Sequence, residues 1–250
     1  MRSIFRIQTW FAGLCVLLST ANVPADDKAP SSIDFLPGTQ LSFATVSEAK
    51  KILSAKDVFV KAMSPFDRKA RLRRDRDVSV DEYLKFVAGE AREFSEDARK
   101  KLREVAGAVA PRLAPLKLRW PKRIQIALTS GGEEGGAAYC RGLNIVFPVG
   151  VLKRPAKRLE RLLIHELFHI YSRYQPKTRD ELYQTIGFER VGQVKVPPKL
   201  DRIRLTNPDA PLPDVAIRLK VGDAGPRPYV PLLYSKTETY DETKREPFFR

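Results

Sequence analysis

The chain has 250 residues, 43% of them hydrophobic and 30% charged, the balance of a globular protein rather than of a disordered or fibrous one. Lysine and arginine outnumber aspartate and glutamate 45 to 30, and the resulting formal charge of +15 suits anionic partners such as envelope polymers, phospholipid surfaces or acidic substrates. Two cysteines exclude a disulfide-dense scaffold, and no nucleic-acid-binding motif accompanies the basic charge.

Residues 1–25 read as a secretory signal. Arg2 and Arg6 form its charged start, Trp10 to Leu18 its apolar run, and Val23-Pro24-Ala25 a small-residue cleavage site. The apolar run is too short for a stable membrane span, so the expected product is a secreted or periplasmic protein cleaved near Ala25, in contact with a membrane only during export. Leu14, before Cys15, stands where a lipoprotein signal carries Gly or Ala. Cleavage leaves Cys140 as the remaining cysteine, without a partner for an intrachain disulfide. Oligomeric state is not legible in the sequence.

Residues 26–40 are polar and proline-containing and read as a flexible lead-in, with order expected from near Leu41. Residues 41–118 read as a helical region. One or two short helices fall within residues 45–63, ending at Ser64-Pro65. Ser79-Val80-Asp81-Glu82 has the form of a capping box and opens a helix to about Phe94. Ser95 caps the next helix, Glu96 to Ala110, which carries acids in its first turn and meets Pro111 at its end. Most of the basic residues between Lys61 and Arg161 read as solvated faces of such helices.

Residues 119–250 change in character. Ile124, Ile126 and Leu128 alternate with polar or small residues, a strand over Arg123 to Thr129 with one face on a core. Gly131 to Gly136 is glycine-rich and reads as a mobile turn, because it lacks the following lysine and helix of a phosphate cradle. A second strand over Ala137 to Phe147 follows, then a turn at Pro148-Val149-Gly150 and a long helix from Pro155 to Tyr174. Further on come a helix over Arg179 to Ile186, closed by Gly187, and strands over Val191 to Val196, Val215 to Val221 and Tyr229 to Leu233, separated by proline-rich turns such as Asn207 to Pro211.

The long helix holds both histidines of the chain, as His165-Glu166-Leu167-Phe168-His169. A four-residue helical spacing puts the two imidazoles on one face, within reach of one metal ion, and Glu166 stands beside the first as a proton acceptor. Leu159, Leu162, Leu163, Ile164, Ile170 and Tyr171 make the helix apolar nearly all round, which predicts a buried element. The competing reading is two ordinary histidines on an amphipathic helix. Burial without partners costs each polar group a few kcal/mol, about 1–3 in proteins, which favours the metal. A closed structural zinc site usually draws on thiolates, so the single mature cysteine favours an open, catalytic site.

These residues resemble the zincin metallopeptidases, in which an edge strand precedes the helix bearing H-E-x-x-H. The stretch from Gly136 to Asp209 is also similar to a family of secreted bacterial proteins with this motif. The resemblance implies an α+β, zincin-like fold: a helical N-terminal part, then a small mixed or antiparallel sheet with its edge strand, Ala137 to Asn144, beside the cleft to pair with an extended peptide. It implies Zn²⁺ as cofactor and a peptide or protein substrate. The third ligand separates the branches. Ser172 and Gln175 occupy the places where metzincins carry Gly and a third His, which leaves the gluzincin-like branch. There the spacing implies Glu189 as third ligand beside His165 and His169, with Glu181, Asp209 and a residue beyond Arg250 as alternatives, the last because Pro247-Phe248-Phe249 resembles the start of an interrupted element.

The function expected on this basis is an exported zinc metallopeptidase, in which Glu166 takes a proton from a zinc-activated water and passes it to the leaving amine. Tyr183, Tyr234, Tyr240 and Arg141 are the candidates for a second electrophile. Cys140 reads as a small buried strand residue, since no histidine is free to activate it. The alternative is a weak or inactive zincin-like cationic protein that binds anionic cell-envelope polymers. Amidase action on a peptidoglycan stem uses the same chemistry on another substrate.

Overall fold

The computed structural model describes residues 31–223, 225–241 and 243, so the expected signal segment, Cys15 and Pro247-Phe248-Phe249 lie outside the described residues. The fold is mixed α+β. Five helices fill the first half: α1 (Val46–Leu53), α2 (Val58–Ala62), α3 (Pro65–Leu72), α4 (Val80–Gly89) and α5 (Glu96–Leu113). Each begins on a short polar side chain, Thr45, Asp57, Ser64, Ser79 or Ser95, that accepts the N–H three residues on and so satisfies a donor the helix leaves unpaired.

Local chemistry is read differently in three places here. Ser64-Pro65 does not end a helix but starts α3, with Pro65 in the first turn where its missing N–H costs nothing. Pro111 lies inside α5, which runs on to Leu113, because a proline this near the end deletes only one bond of the last turns. The helix from Ser79 stops at Gly89, and Ala91–Arg92 leave it as a strand (β3).

Residues 31–40 are not a flexible lead-in. They supply β1 (Ser32–Leu36) and the start of β2 (Thr39–Phe43), antiparallel strands joined through Pro37-Gly38, with Gly38 at a φ of 76°. The main sheet continues with β4 (Arg123–Thr129), β5 (Tyr139–Arg141) and β6 (Asn144–Pro148), in the order β1-β2-β4-β6-β5, while β3 pairs with the far end of β4. β2, β4 and β6 run parallel, and β1, β3 and β5 are antiparallel to their neighbours. The predicted single strand over Ala137 to Phe147 is therefore a hairpin, turning at Gly142 with a φ of 56°.

The sheet is buried on both faces, not on one. Ile124, Ile126, Leu128, Cys140, Ile145 and Phe147 join Leu102, Val105 and Val109 of α5 and the apolar side of α6 (Ala156–Tyr174) in one core. Ala127, Tyr139 and Val146, the alternate positions, pack with α1, α2 and α4 in a second. The N-terminal helices thus share one sheet with the residues beyond 119. In α6, Leu159, Leu163, Leu167 and Ile170 are at most 1% exposed, each worth about 1.5–3 kcal/mol of burial.

Beyond α6, α7 (Pro176–Thr185) buries no side chain, and β7 (Phe188–Arg190), β8 (Val215–Leu219) and β9 (Arg227–Tyr229) form a small antiparallel sheet. Val191 to Val196 is not a strand. It makes only two backbone bonds to the stretch before β8, Val191 N–H to Asp214 and Val194 N–H to Pro213. A short helix, α8 (Pro198–Asp201), follows. No helix among the described residues is long and apolar enough to cross a membrane.

Candidate metal centre

α6 is not buried all round. Its leucine side faces the core, while His165 and Phe168 are exposed and His169 is half-buried. The i, i+4 spacing brings the two Nε2 atoms to 3.1 Å, with the rings edge to face. Two ring nitrogens that close need a proton or a cation between them. A tetrahedral zinc with Zn–N bonds of about 2.0–2.1 Å holds two nitrogens about 3.3 Å apart, close to the separation found here. Burial pushes the His169 pKa down, with Asp209 pulling the other way.

Glu166, one residue on from His165, lies under β5 and is 1% exposed. Its Oε2 accepts from the Cys140 thiol at 3.3 Å. Burial, and after it the charge of Asp209, pushes the Glu166 carboxyl up to about 7, against the opposing effects of the thiol bond and Arg173. Cys140 is fully buried, and burial followed by the nearby Glu166 raises its thiol well above the ordinary range, so it is no nucleophile.

The structure does not bring Glu189 to the histidines. It sits in β7 opposite Ala216 of β8, and its carboxylate is 3.1 Å from Arg218. Its sequence spacing matched, but the chain between α7 and β8 turns it into the small sheet. Glu181 is exposed on α7. Of the three acids, Asp209 is the one that comes to α6, through Arg173. Cys140, Glu166 and Asp209 offer ligand atoms all within 4.8 Å of one another, the one such trio among the described residues, so no carboxylate there lies that close to both histidine nitrogens.

Asp209 rides on the Asn207–Ala210 turn, where the Asn207 side chain accepts its N–H at 2.8 Å. Its Oδ1 accepts the Cys140 N–H at 3.0 Å and Arg173 at 3.2 Å. Cys140 pairs with Ile145 at a position where its own N–H faces away from β6, so Asp209 occupies the outward amide of the edge strand. The expected pairing of an extended peptide with β5 is blocked at that residue.

The glycine-rich run is likewise no mobile turn. Glu133 and Glu134 are buried in it, and Glu134 takes a two-pronged bond from Arg71 at 2.8 and 3.0 Å. Arg71 also pairs with Asp67 and donates to the Thr206 carbonyl at 2.8 Å, while the Thr206 N–H donates to Asp67 at 2.9 Å. This buried network nails the chain just before Asp209 to α3. Gly131 lies against Pro148, whose Cβ stands 2.9 Å from where a side chain would begin.

Of the electrophile candidates, Tyr183 stacks on Phe168, next to His169. Arg141 is committed to Asp57 and to the Leu53 and Ala55 carbonyls, Tyr240 is buried with Phe66, and Tyr234 is exposed beside Arg204. Arg173 was not among the candidates, although it follows His169 by the same four residues that separate the histidines. Compared with known proteins, the chain matches no family model, no curated protein and no solved structure.

Proposed function

We propose that the protein is a zinc-dependent hydrolase acting on peptide bonds, with His165, His169 and Asp209 as metal donors and Glu166 as general base. The observation that carries this reading is the pair of Nε2 atoms 3.1 Å apart on α6, one residue from a buried carboxylate. Two imidazoles and a carboxylate are the donor set of open, catalytic zinc sites. Asp209 replaces Glu189 in this reading because its charge reaches both His169 and Glu166, whereas Glu189 is paired with Arg218, and its turn must draw in on the ion, since its carboxylate is not within 4.8 Å of both imidazoles.

Zn²⁺ bound there supplies Lewis acidity, bringing the pKa of water from about 15.7 to near 7. Glu166 at about 7 matches the operating range of a base that must both take and release a proton near neutrality. The thiol bond on Oε2 fixes the carboxylate in the wall of the site. With the Cys140 amide taken, substrate recognition falls to side chains around the motif, where Phe168 is 38% exposed against Tyr183.

Metal analysis with Glu166→Gln tests the reading. The expected result is near-stoichiometric zinc in both proteins and metal-dependent cleavage of a broad peptide library, or of peptidoglycan stems, by wild type alone. A wild type that retains no zinc after dialysis against the metal, or a variant as active as wild type, refutes it.

A further inference from the structure

An open groove of about 590 Å³ lies between α2 and α8, and none of its lining belongs to α6. Its size falls in the range of ligand sites, about 300–1,000 Å³. α2 lends it Val58, Lys61 and Ala62, which the helical spacing puts on one side. Leu212 and Pro213 line it as well, beside the irregular 191–196 segment, whose Val194 N–H donates to Pro213 O at 3.1 Å. The N–H groups of Gln193 and Lys195, on either side of that bond, have no hydrogen-bond partner among the described residues.

The lining combines apolar and cationic groups. Val58 is 49% exposed and Val194 38%, with no part of the described chain covering them. Four cations and one acid face the same space, and the acid, Asp201, is taken by Arg204 at 2.9 Å. Lys61, Lys195 and Arg202 are exposed and have no ion pair among the described residues. Unmatched cations select a partner of opposite charge, and unpaired backbone N–H groups accept the carbonyls of an extended chain. A polyanion without apolar side chains would leave both valines in water. We propose that this groove is a docking site for an extended acidic peptide segment of a partner protein, with its carboxylates on Lys61, Lys195 and Arg202 and its apolar side chains on Val58 and Val194. Docking here requires no metal, so it holds whether or not the protein binds zinc.

The test is fluorescence anisotropy of the full chain with a fluorescein-labelled hexapeptide alternating Glu and Leu, at fixed salt. Wild type is expected to bind it with a Kd below ~100 μM and its Gln-for-Glu counterpart at least ~10-fold more weakly. The triple variant K61Q/K195Q/R202Q should weaken the acidic peptide ~10-fold, as three exposed charge pairs would. K153Q/R154Q/R158Q, which removes the same charge from exposed positions at the start of α6, should leave the Kd within about twofold. V58A should weaken binding about 3-fold, a loss that charge alone does not produce. No binding to wild type up to ~1 mM overturns the proposal, as does equal weakening by the two triple variants, which marks unspecific attraction to a cationic protein. Labelled polyphosphate that binds as tightly as the peptide, with no effect of V58A, makes the groove a polyanion site and overturns the peptide assignment. If the groove triple variant fails to fold, K195Q, on the irregular segment, decides in its place, and an unchanged Kd there overturns the proposal.

Discussion

Glu166 provides a prediction about stability that needs no substrate. Its carboxyl is pushed from an ordinary 4.5 to about 7 in the folded, metal-free chain, mainly because it is buried. Below pH 4.5 both folded and unfolded chains hold this proton. Between 4.5 and about 7 the unfolded chain releases it and the folded chain keeps it, so each pH unit costs the folded state about 1.4 kcal/mol. Above about 7 the penalty levels off near 3 kcal/mol. Glu166→Gln has no proton to lose. In chelator, wild type and variant should differ in pH dependence: the variant gains about 3 kcal/mol on wild type between pH 4.5 and 8, some 6–12 °C in melting temperature for a chain of this size. Thermal or urea unfolding of both proteins across that range reads the difference directly. A wild type minus variant gap that is flat from pH 4.5 to 8 refutes the argument that burial holds the carboxyl protonated.

Leu163→Ala removes a side chain 1% exposed between α6 and the sheet and should cost about 2–5 kcal/mol in urea unfolding; a loss below 1 kcal/mol contradicts the packing described. Glu134→Ala takes the two-pronged bond from buried Arg71, leaving it Asp67 and the Thr206 carbonyl, and should cost about 1.5–3 kcal/mol, with higher amide exchange in the 203–209 segment that Arg71 holds. Zinc titration separates the carboxylates: Asp209→Ala should weaken binding more than ~10-fold, while Glu189→Ala, whose partner is Arg218, should leave affinity at the wild-type value. Reversal of that pair of results restores the gluzincin-like ligand set.

Legibility followed the range of the interaction. The helix starts at Ser79 and Ser95 were marked by caps that act over three residues, and the strand over Arg123 to Thr129 fell at the bounds its alternation indicated. The same alternation misled on burial, because Ala127 and Thr129 look like solvent-facing positions until a second layer of helices covers them. Residues 26–40 read as flexible from composition, yet their second half pairs into the sheet. A short strand such as Ser32–Leu36 draws its stability from neighbours that its own sequence does not contain. The glycine-rich run hid two buried acids for a related reason, since the partner of Glu134, Arg71, lies more than sixty residues upstream.

What the chain determines by itself is the row of His165, His169 and Arg173, because a helix repeats every 3.6 residues through bonds that span only four. Which acid meets that row is another matter. Asp209 touches Arg173 across 36 residues and Cys140 across 69, and it stands there because Arg71, Asp67 and Glu134 hold Thr206 while the hairpin at Gly142 offers the opposite anchor. Spacing favoured Glu189, whereas tertiary packing sent Glu189 to the small sheet and Asp209 to Arg173 and the Cys140 amide. Loop positions carry no period from which their direction can be read. Their place is set by the buried groups they must satisfy, and those partners are assembled only when the whole sheet has formed.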